Sequence, residues 1–246
     1  MRDIEDYCEK WRQKSFEDIQ VAIRIKKVVE IIQQYEHHSI LEIGCGFEPF
    51  FKYFDDYQQM TVVDPCNEFI NNAKELSAGN QRVRCIQGFL EDQIALLNRG
   101  GQRFDFVILT SLLHEVENPS DFLIKLKSVC NPHTVVHVNV PNAYSFHRLL
   151  AKEMGLIQEV FDKSDRQIML QQQTMFSMES LSELLRQTGF KTLEQGTYFV
   201  KPFTHDQLYR MLSSGIIDER VLDGLFQMDK YMPEYGSEIY INCKLE

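Results

Sequence analysis

The sequence predicts an α/β protein built on a mostly parallel, doubly wound sheet. Three observations carry that expectation. Short apolar runs of strand length alternate with helix-length segments, which places parallel strands under helices on both faces. The first run, Ile40 to Ile43, leads into Gly44-Cys45-Gly46, a turn whose two glycines let the backbone bend sharply and a ligand come close. The second, Met60 to Val63, ends in Asp64, 20 residues after Gly44. At that spacing a nucleotide-binding α/β unit sets a carboxylate on ribose hydroxyls.

Residues 3–14 read as a short helix with Tyr7 and Trp11 on one face. Residues 16–35 form a longer one, with Ile19, Ala22, Ile23, Val29 and Ile32 in a 3.6-residue pattern. After the glycine loop, Pro49 suits the first turn of a short helix bearing Phe50, Phe51 and Phe54. The strand ending at Asp64 precedes a helix from Asn67 to Leu76, stopped near Gly79. Arg82 to Gln87 is a third strand and Phe104 to Leu109 a buried fourth. Ser120 caps a helix through Val129, and Thr134 to Val140 is a fifth strand closed by Pro141-Asn142.

Residues 143–175 are an insertion, helical over Tyr144 to Met154, with Gln171-Gln172-Gln173 as polar filler. Ser177 to Gln187 is a helix ended by Gly189, and Phe190 to Lys201 is a sixth strand. Residues 204–232 form a second insertion of two helices, and Glu238 to Lys244 is the seventh strand. The expectation is one domain over residues 1–246: a seven-stranded sheet, antiparallel at its last strand, with two helical insertions. The insertions are rich in Leu, Met and aromatic residues. Surfaces this apolar close either over a substrate as a lid or against another subunit, and the lid is the expectation.

The 246 residues suffice for one sizeable core. The net charge of −10 disfavours binding to nucleic acid or anionic membrane, which calls for excess Lys and Arg. The densest basic cluster, Arg24-Ile25-Lys26-Lys27, reads as a solvated helix face. The six cysteines form no Cys-x-x-Cys pair and read as free, small apolar residues of a reducing compartment. Met1 to Asp6 is acidic with no apolar run behind it, and the apolar stretch Phe106 to Leu113 is too short to span a bilayer. A cytoplasmic monomer or homodimer is the expectation.

Glu42 puts a carboxylate in an otherwise apolar strand, and a charge is not buried without a reason. The dinucleotide pattern wants a third glycine where this chain has Pro49, and Glu48 brings negative charge to where a pyrophosphate would rest. An adenosine ligand without phosphates fits better than NAD. The run Glu42-Ile43-Gly44-Cys45-Gly46 resembles motif I of the class I S-adenosylmethionine-dependent methyltransferases, whose sheet is Rossmann-like, and Asp64 stands where their ribose-binding acid stands. Leu112-Leu113-His114-Glu115-Val116 is similar to the segment after the fourth strand in small-molecule methyltransferases, with Glu115 in place of a second histidine.

The resemblance implies transfer of a methyl group from S-adenosylmethionine to an O, N or C atom of a small molecule, leaving S-adenosylhomocysteine. It implies cofactor contacts from Glu42, Gly44, Cys45, Gly46, Asp64, Pro65 and Thr110, with backbone groups of Phe89 and Leu90 at the adenine edge. Methyl transfer is an in-line displacement that needs positioning and removal of a proton. Candidates for the base are His114, Glu115, Tyr144 and His147.

No metal site is expected. His133 and His137 would stand roughly 13 Å apart along a strand, and the His114-Glu115 start of a zinc-protease motif has Asn118 where its second histidine belongs. No Gly-x-Ser-x-Gly elbow supports a hydrolase. Two alternatives are an NAD-dependent oxidoreductase, which Pro49 opposes, and a non-catalytic binding protein of methyltransferase fold, which the intact Glu42 and Asp64 oppose.

Overall fold

The computed structural model describes residues 3–11, 17–101 and 103–246. The predicted helical residues 12–14 and 16 lie outside the described residues. The chain order is α1 (Ile4–Trp11), α2 (Glu17–Ile32), β1 (Ser39–Ile43), β2 (Gln59–Asp64), α3 (Asn67–Leu76), β3 (Val83–Gln87), α4 (Leu90–Leu97), β4 (Phe106–Thr110) and α5 (Pro119–Leu126). There follow β5 (Val135–Pro141), α6 (Phe146–Glu153), α7 (Asp165–Met169), α8 (Met178–Gln187), β6 (Phe190–Tyr198), α9 (His205–Ser213), α10 (Glu219–Gln227) and β7 (Glu238–Leu245). The seven strands form one sheet in the order β3-β2-β1-β4-β5-β7-β6. Strands β1 to β5 are parallel, and β7 runs antiparallel between β5 and β6.

The period-2 pattern of the strands decides which helices cover which face. In β1, Ile40 points to the layer of α2 and α3, while Leu41 and Ile43 point to the layer of α4, α5 and α8. In β4, Phe106 and Ile108 face the first layer, and Val107 and Leu109 the second. All seven of these side chains are buried. This is why the strands read as continuous apolar runs.

Several elements differ from expectation. The short helix after Pro49 is only a 3-10 turn, Phe50–Lys52, with Phe50 and Phe51 buried. Helix α4 was not anticipated. Only Leu90 and Leu97 of it are buried, so its apolar stripe is too thin to stand out, although Glu91 and Asp92 favour a helix start. The glutamine run is not filler. The Gln171 side chain accepts from the Asp3 N–H at 3.0 Å and donates to Asp6 at 2.9 Å, tying the first insertion to α1. The second insertion packs on the α2 layer through Leu208 and Phe226. Cys8 and Cys66 are joined by a disulfide, so the reading of all six cysteines as free is corrected; Cys45, Cys85, Cys130 and Cys243 are free.

Candidate methyl-donor and acceptor site

The parallel strands end together, and the loops beyond β1, β2 and β4 line a cleft of about 370 Å³. Such an edge is where ligands bind in open α/β sheets. Gly44 and Gly46 have φ of 81° and 55°. A Cβ on Gly46 would meet no atom within 4 Å, so the bare backbone leaves open space at the cleft wall. Glu42, fully buried, accepts the Phe50 N–H at 3.1 Å and so closes the loop from the end of β1 to the 3-10 turn. Burial pushes its carboxyl up to about 8, against the Phe50 hydrogen bond and with the help of the Asp64 charge.

Asp64 does more than present a carboxylate. One oxygen accepts the Cys45 N–H at 2.9 Å and the other the Cys66 N–H at 2.8 Å. The acid therefore fixes the glycine loop and the β2–α3 turn relative to each other. Each carboxylate oxygen has a second lone pair, the capacity a ribose diol needs. Glu42, Gly44, Cys45, Gly46, Asp64, Pro65 and Thr110 all line the cleft. Phe89 and Leu90 do not line it: Phe89 is exposed, and Leu90 is buried in the α4–α5 layer. Glu48 points its charge to Lys52 and Tyr53.

A second chamber of about 390 Å³ adjoins the first. Trp11, Arg24, Ser111 and Glu115 line both. Ser111 has φ of 52°, a left-handed backbone that serine rarely adopts, at the turn out of β4. Among the predicted bases, Glu115 and His147 line the second chamber. His114 does not; it is buried, and its carbonyl accepts the Gln173 and Thr174 N–H groups at 2.8 and 3.0 Å. Nor does Tyr144, which is exposed and packs edge-on against Phe161 with ring centroids 5.7 Å apart.

Sequence reasoning missed two contributors. Helix α1 puts Ile4, Tyr7 and Trp11 into the cleft, and the Tyr7 hydroxyl donates to the Glu115 carboxylate at 3.0–3.1 Å. The Tyr7–Trp11 pairing was visible in the sequence, but not what it faces. The second is Arg24, read as solvated but in fact buried, bonded to both oxygens of Glu238 at 3.1 and 2.6 Å. The signal lay in its spacing: Gln20, Arg24 and Val28 recur every fourth residue on the buried face of α2. Burial alone would raise the Glu238 carboxyl, but the Arg24 charge and the hydrogen bonds from Arg24, Asn139 and Tyr198 outweigh it and hold the group below its usual range.

The glycine-loop cleft, with Asp64 in its wall, thus adjoins a second chamber of similar size. A family profile described as a methyltransferase domain matches residues 11–195. The chain belongs to the methyltransferase-domain family. Its class is the S-adenosylmethionine-dependent one that the glycine loop resembles, and S-adenosylmethionine is the methyl donor of that class. This sets aside the oxidoreductase reading.

Among solved structures, the methyltransferase is similar in fold to the plantazolicin methyltransferase BamL in complex with a triazolic desmethylPZN analog and S-adenosylhomocysteine. The identity is 14%, the TM-score 0.56, and the match covers 98% of this chain and 89% of that one. The N-methyltransferase NodS from Bradyrhizobium japonicum, in complex with S-adenosylhomocysteine, shares 10% identity with TM-score 0.54 over 90% of this chain and 85% of that one. A putative methyltransferase in complex with the Haloferax volcanii Trm112 activator shares 11% identity with TM-score 0.61, over 100% and 98%. No curated protein sequence matches the chain.

Among the described residues, no group of His, Cys, Asp and Glu could hold a metal ion, and no helix is long and apolar enough to cross a membrane.

Proposed function

We propose that this methyltransferase acts on a small-molecule acceptor held in the second chamber. The observation that carries the reading is the junction of the two chambers at Trp11, Arg24, Ser111 and Glu115. A donor in the glycine-loop cleft and an acceptor beyond it would meet there. S-adenosylmethionine supplies an electrophilic methyl group on a sulfonium. The chain supplies the rest: Asp64 and the bare backbone at Gly44 and Gly46 seat the nucleoside, and Trp11 offers an aromatic face that attracts a cation. Glu115, or His147 across the chamber, is placed to receive the acceptor's proton.

The first insertion roofs the acceptor through His147, Arg148, Ala151, Leu156 and Ile157. This supports its reading as a lid that keeps water from the reacting atoms. The second insertion contributes Thr204 and Asp206 to the chamber. We take the acceptor to be small because this chamber is of ligand size. Calorimetric titration with S-adenosylhomocysteine is the first test, and a folded sample that shows no binding at high micromolar ligand defeats the reading. A structure with that product bound is the second. It should place the sulfur at the junction, with the chamber beyond it lined by residues 143–175. A sulfur more than about 10 Å from that segment, beyond contact range, would make the insertion a subunit interface instead.

A further inference from the structure

Helix α1 forms a wall of the donor cleft and lies outside the sheet. Eight residues long, it is too short to hold its own conformation, since isolated helices below about 12–15 residues are marginal in water. Its placement therefore depends on its ties. Those at its rim are hydrogen bonds: Gln171 to Asp3, exposed, and to Asp6, partly buried, and Lys10 to the Met169 carbonyl at 3.1 Å, exposed. The tie at its centre is covalent. Cys8 is bonded to Cys66, with Cα atoms 6.4 Å apart and both side chains buried.

The two ends of that bond lie at functional positions. Cys66 follows Asp64 by two residues, and its N–H is held by the Asp64 carboxylate. Cys8 adjoins Tyr7, which donates to Glu115, and lies one turn from Trp11. The bond thus staples the helix that walls the cleft to the turn beside Asp64.

We propose that Cys8 and Cys66 form a thiol–disulfide latch that controls exchange of the donor and its product through the α1 roof, a proposal that rests on the donor-site reading above. With the bond closed, Ile4, Tyr7 and Trp11 are fixed over the cleft and product must leave past them. With the bond open, the ties that remain to α1 are non-covalent, the rim hydrogen bonds, the Tyr7–Glu115 bond and the packing of Ile4, Tyr7 and Trp11 on the core, and it swings or frays. Opening consumes a dithiol: its thiolate attacks one sulfur, a mixed disulfide forms, and the second thiol displaces it. Two thiols remain on the chain and the dithiol becomes a disulfide. Closing is the reverse against an oxidised disulfide such as glutathione disulfide, which takes up the two electrons and two protons and leaves as two thiols. In a compartment rich in reduced thiols, a disulfide that persists only under oxidation is a sensor rather than a brace.

The test uses the full chain, oxidised with glutathione disulfide or reduced with a phosphine. Peptide mapping without reductant should find residues 8 and 66 cross-linked in the oxidised form. Hydrogen exchange should show residues 4–11 protected in the oxidised form and exchanging freely in the reduced one. Stopped-flow release of S-adenosylhomocysteine should be about tenfold faster on reduction, because lid opening sets product release in many enzymes. Cys8→Ser should behave as the reduced protein in either buffer, and Cys130→Ser, far from the cleft, should respond as the unaltered chain does. The latch is overturned if no 8–66 cross-link forms, or if α1 exchange and product release are the same in both forms while the product binds. If the product binds in neither form, the donor-site reading fails, and the latch fails with it.

Discussion

Glu42→Gln isolates the energetic consequence of burying a carboxyl under the glycine loop. The folded protein holds this group up to about 8, against 4.5 in a solvated chain. Between those values the native state keeps a proton that the unfolded state releases, so stability falls as pH rises from about 4.5 to about 8. The full difference corresponds to roughly 4–5 kcal/mol, at about 1.4 kcal/mol for each tenfold step. His137 runs the other way. Burial holds its ring down to about 4, despite the hydrogen bond to Asn242, so stability is lost as pH falls from 6.5 toward 4. The unaltered protein mixes the two trends, and only the gap between protein and variant reports Glu42. Glutamine cannot ionise, yet it retains an oxygen to accept the Phe50 N–H. The gap in unfolding free energy should widen in favour of the variant by roughly 3–4 kcal/mol between pH 5 and pH 8. Urea denaturation followed by circular dichroism at half-unit steps of pH measures it. Parallel profiles for the two proteins would show that Glu42 ionises normally and that the burial argument is wrong.

Three further outcomes are expected. Asp64→Ala should weaken S-adenosylhomocysteine about 10- to 150-fold, the loss of a charge-assisted contact worth roughly 1.5–3 kcal/mol. It should also lower stability, because the Cys45 and Cys66 N–H groups lose their acceptor; an unchanged dissociation constant in the folded variant refutes the ribose assignment. Arg24→Met strips the cation from the buried Glu238 and should cost about 3–5 kcal/mol at pH 7. That loss should be smaller at pH 4, where Glu238 of the variant, raised by burial once Arg24 is gone, takes up a proton, and a cost below about 1 kcal/mol at pH 7 would mean the pair is not desolvated. Residues 143–175 should exchange amide hydrogens faster than β1 and β4 without ligand and slow when product is bound; exchange unaffected by product counts against the lid.

The order of the strands along the chain, the glycine loop and the acid that ends β2 were legible in the sequence because each is a local matter. Continuous apolar runs such as Phe106 to Leu109 announce strands buried on both faces, and Gly44 and Gly46 announce a backbone that side chains would obstruct. Chain spacing alone put Asp64 at the strand end beside them, since β1 and β2 are parallel neighbours in register from Ser39 and Gln59. What Asp64 grips, the amides of Cys45 and Cys66, depends on how two loops meet, and no spacing encodes that.

Tertiary structure decided the walls of the site. Arg24 looked like one of three surface cations until the packing of α2 against β7 set it on Glu238, a partner 214 residues away. Tyr7 and Trp11 looked like one face of a small helix, and only the fold laid that face over the glycine-loop cleft. Tyr144 and His147 are near neighbours in the chain, but the start of α6 turns one outward to Phe161 and the other into the second chamber. Local propensity and periodicity act within a few residues and so are written in the sequence. Contacts between segments far apart in the chain depend on the sheet order β3-β2-β1-β4-β5-β7-β6, which exists only once the chain has closed on itself.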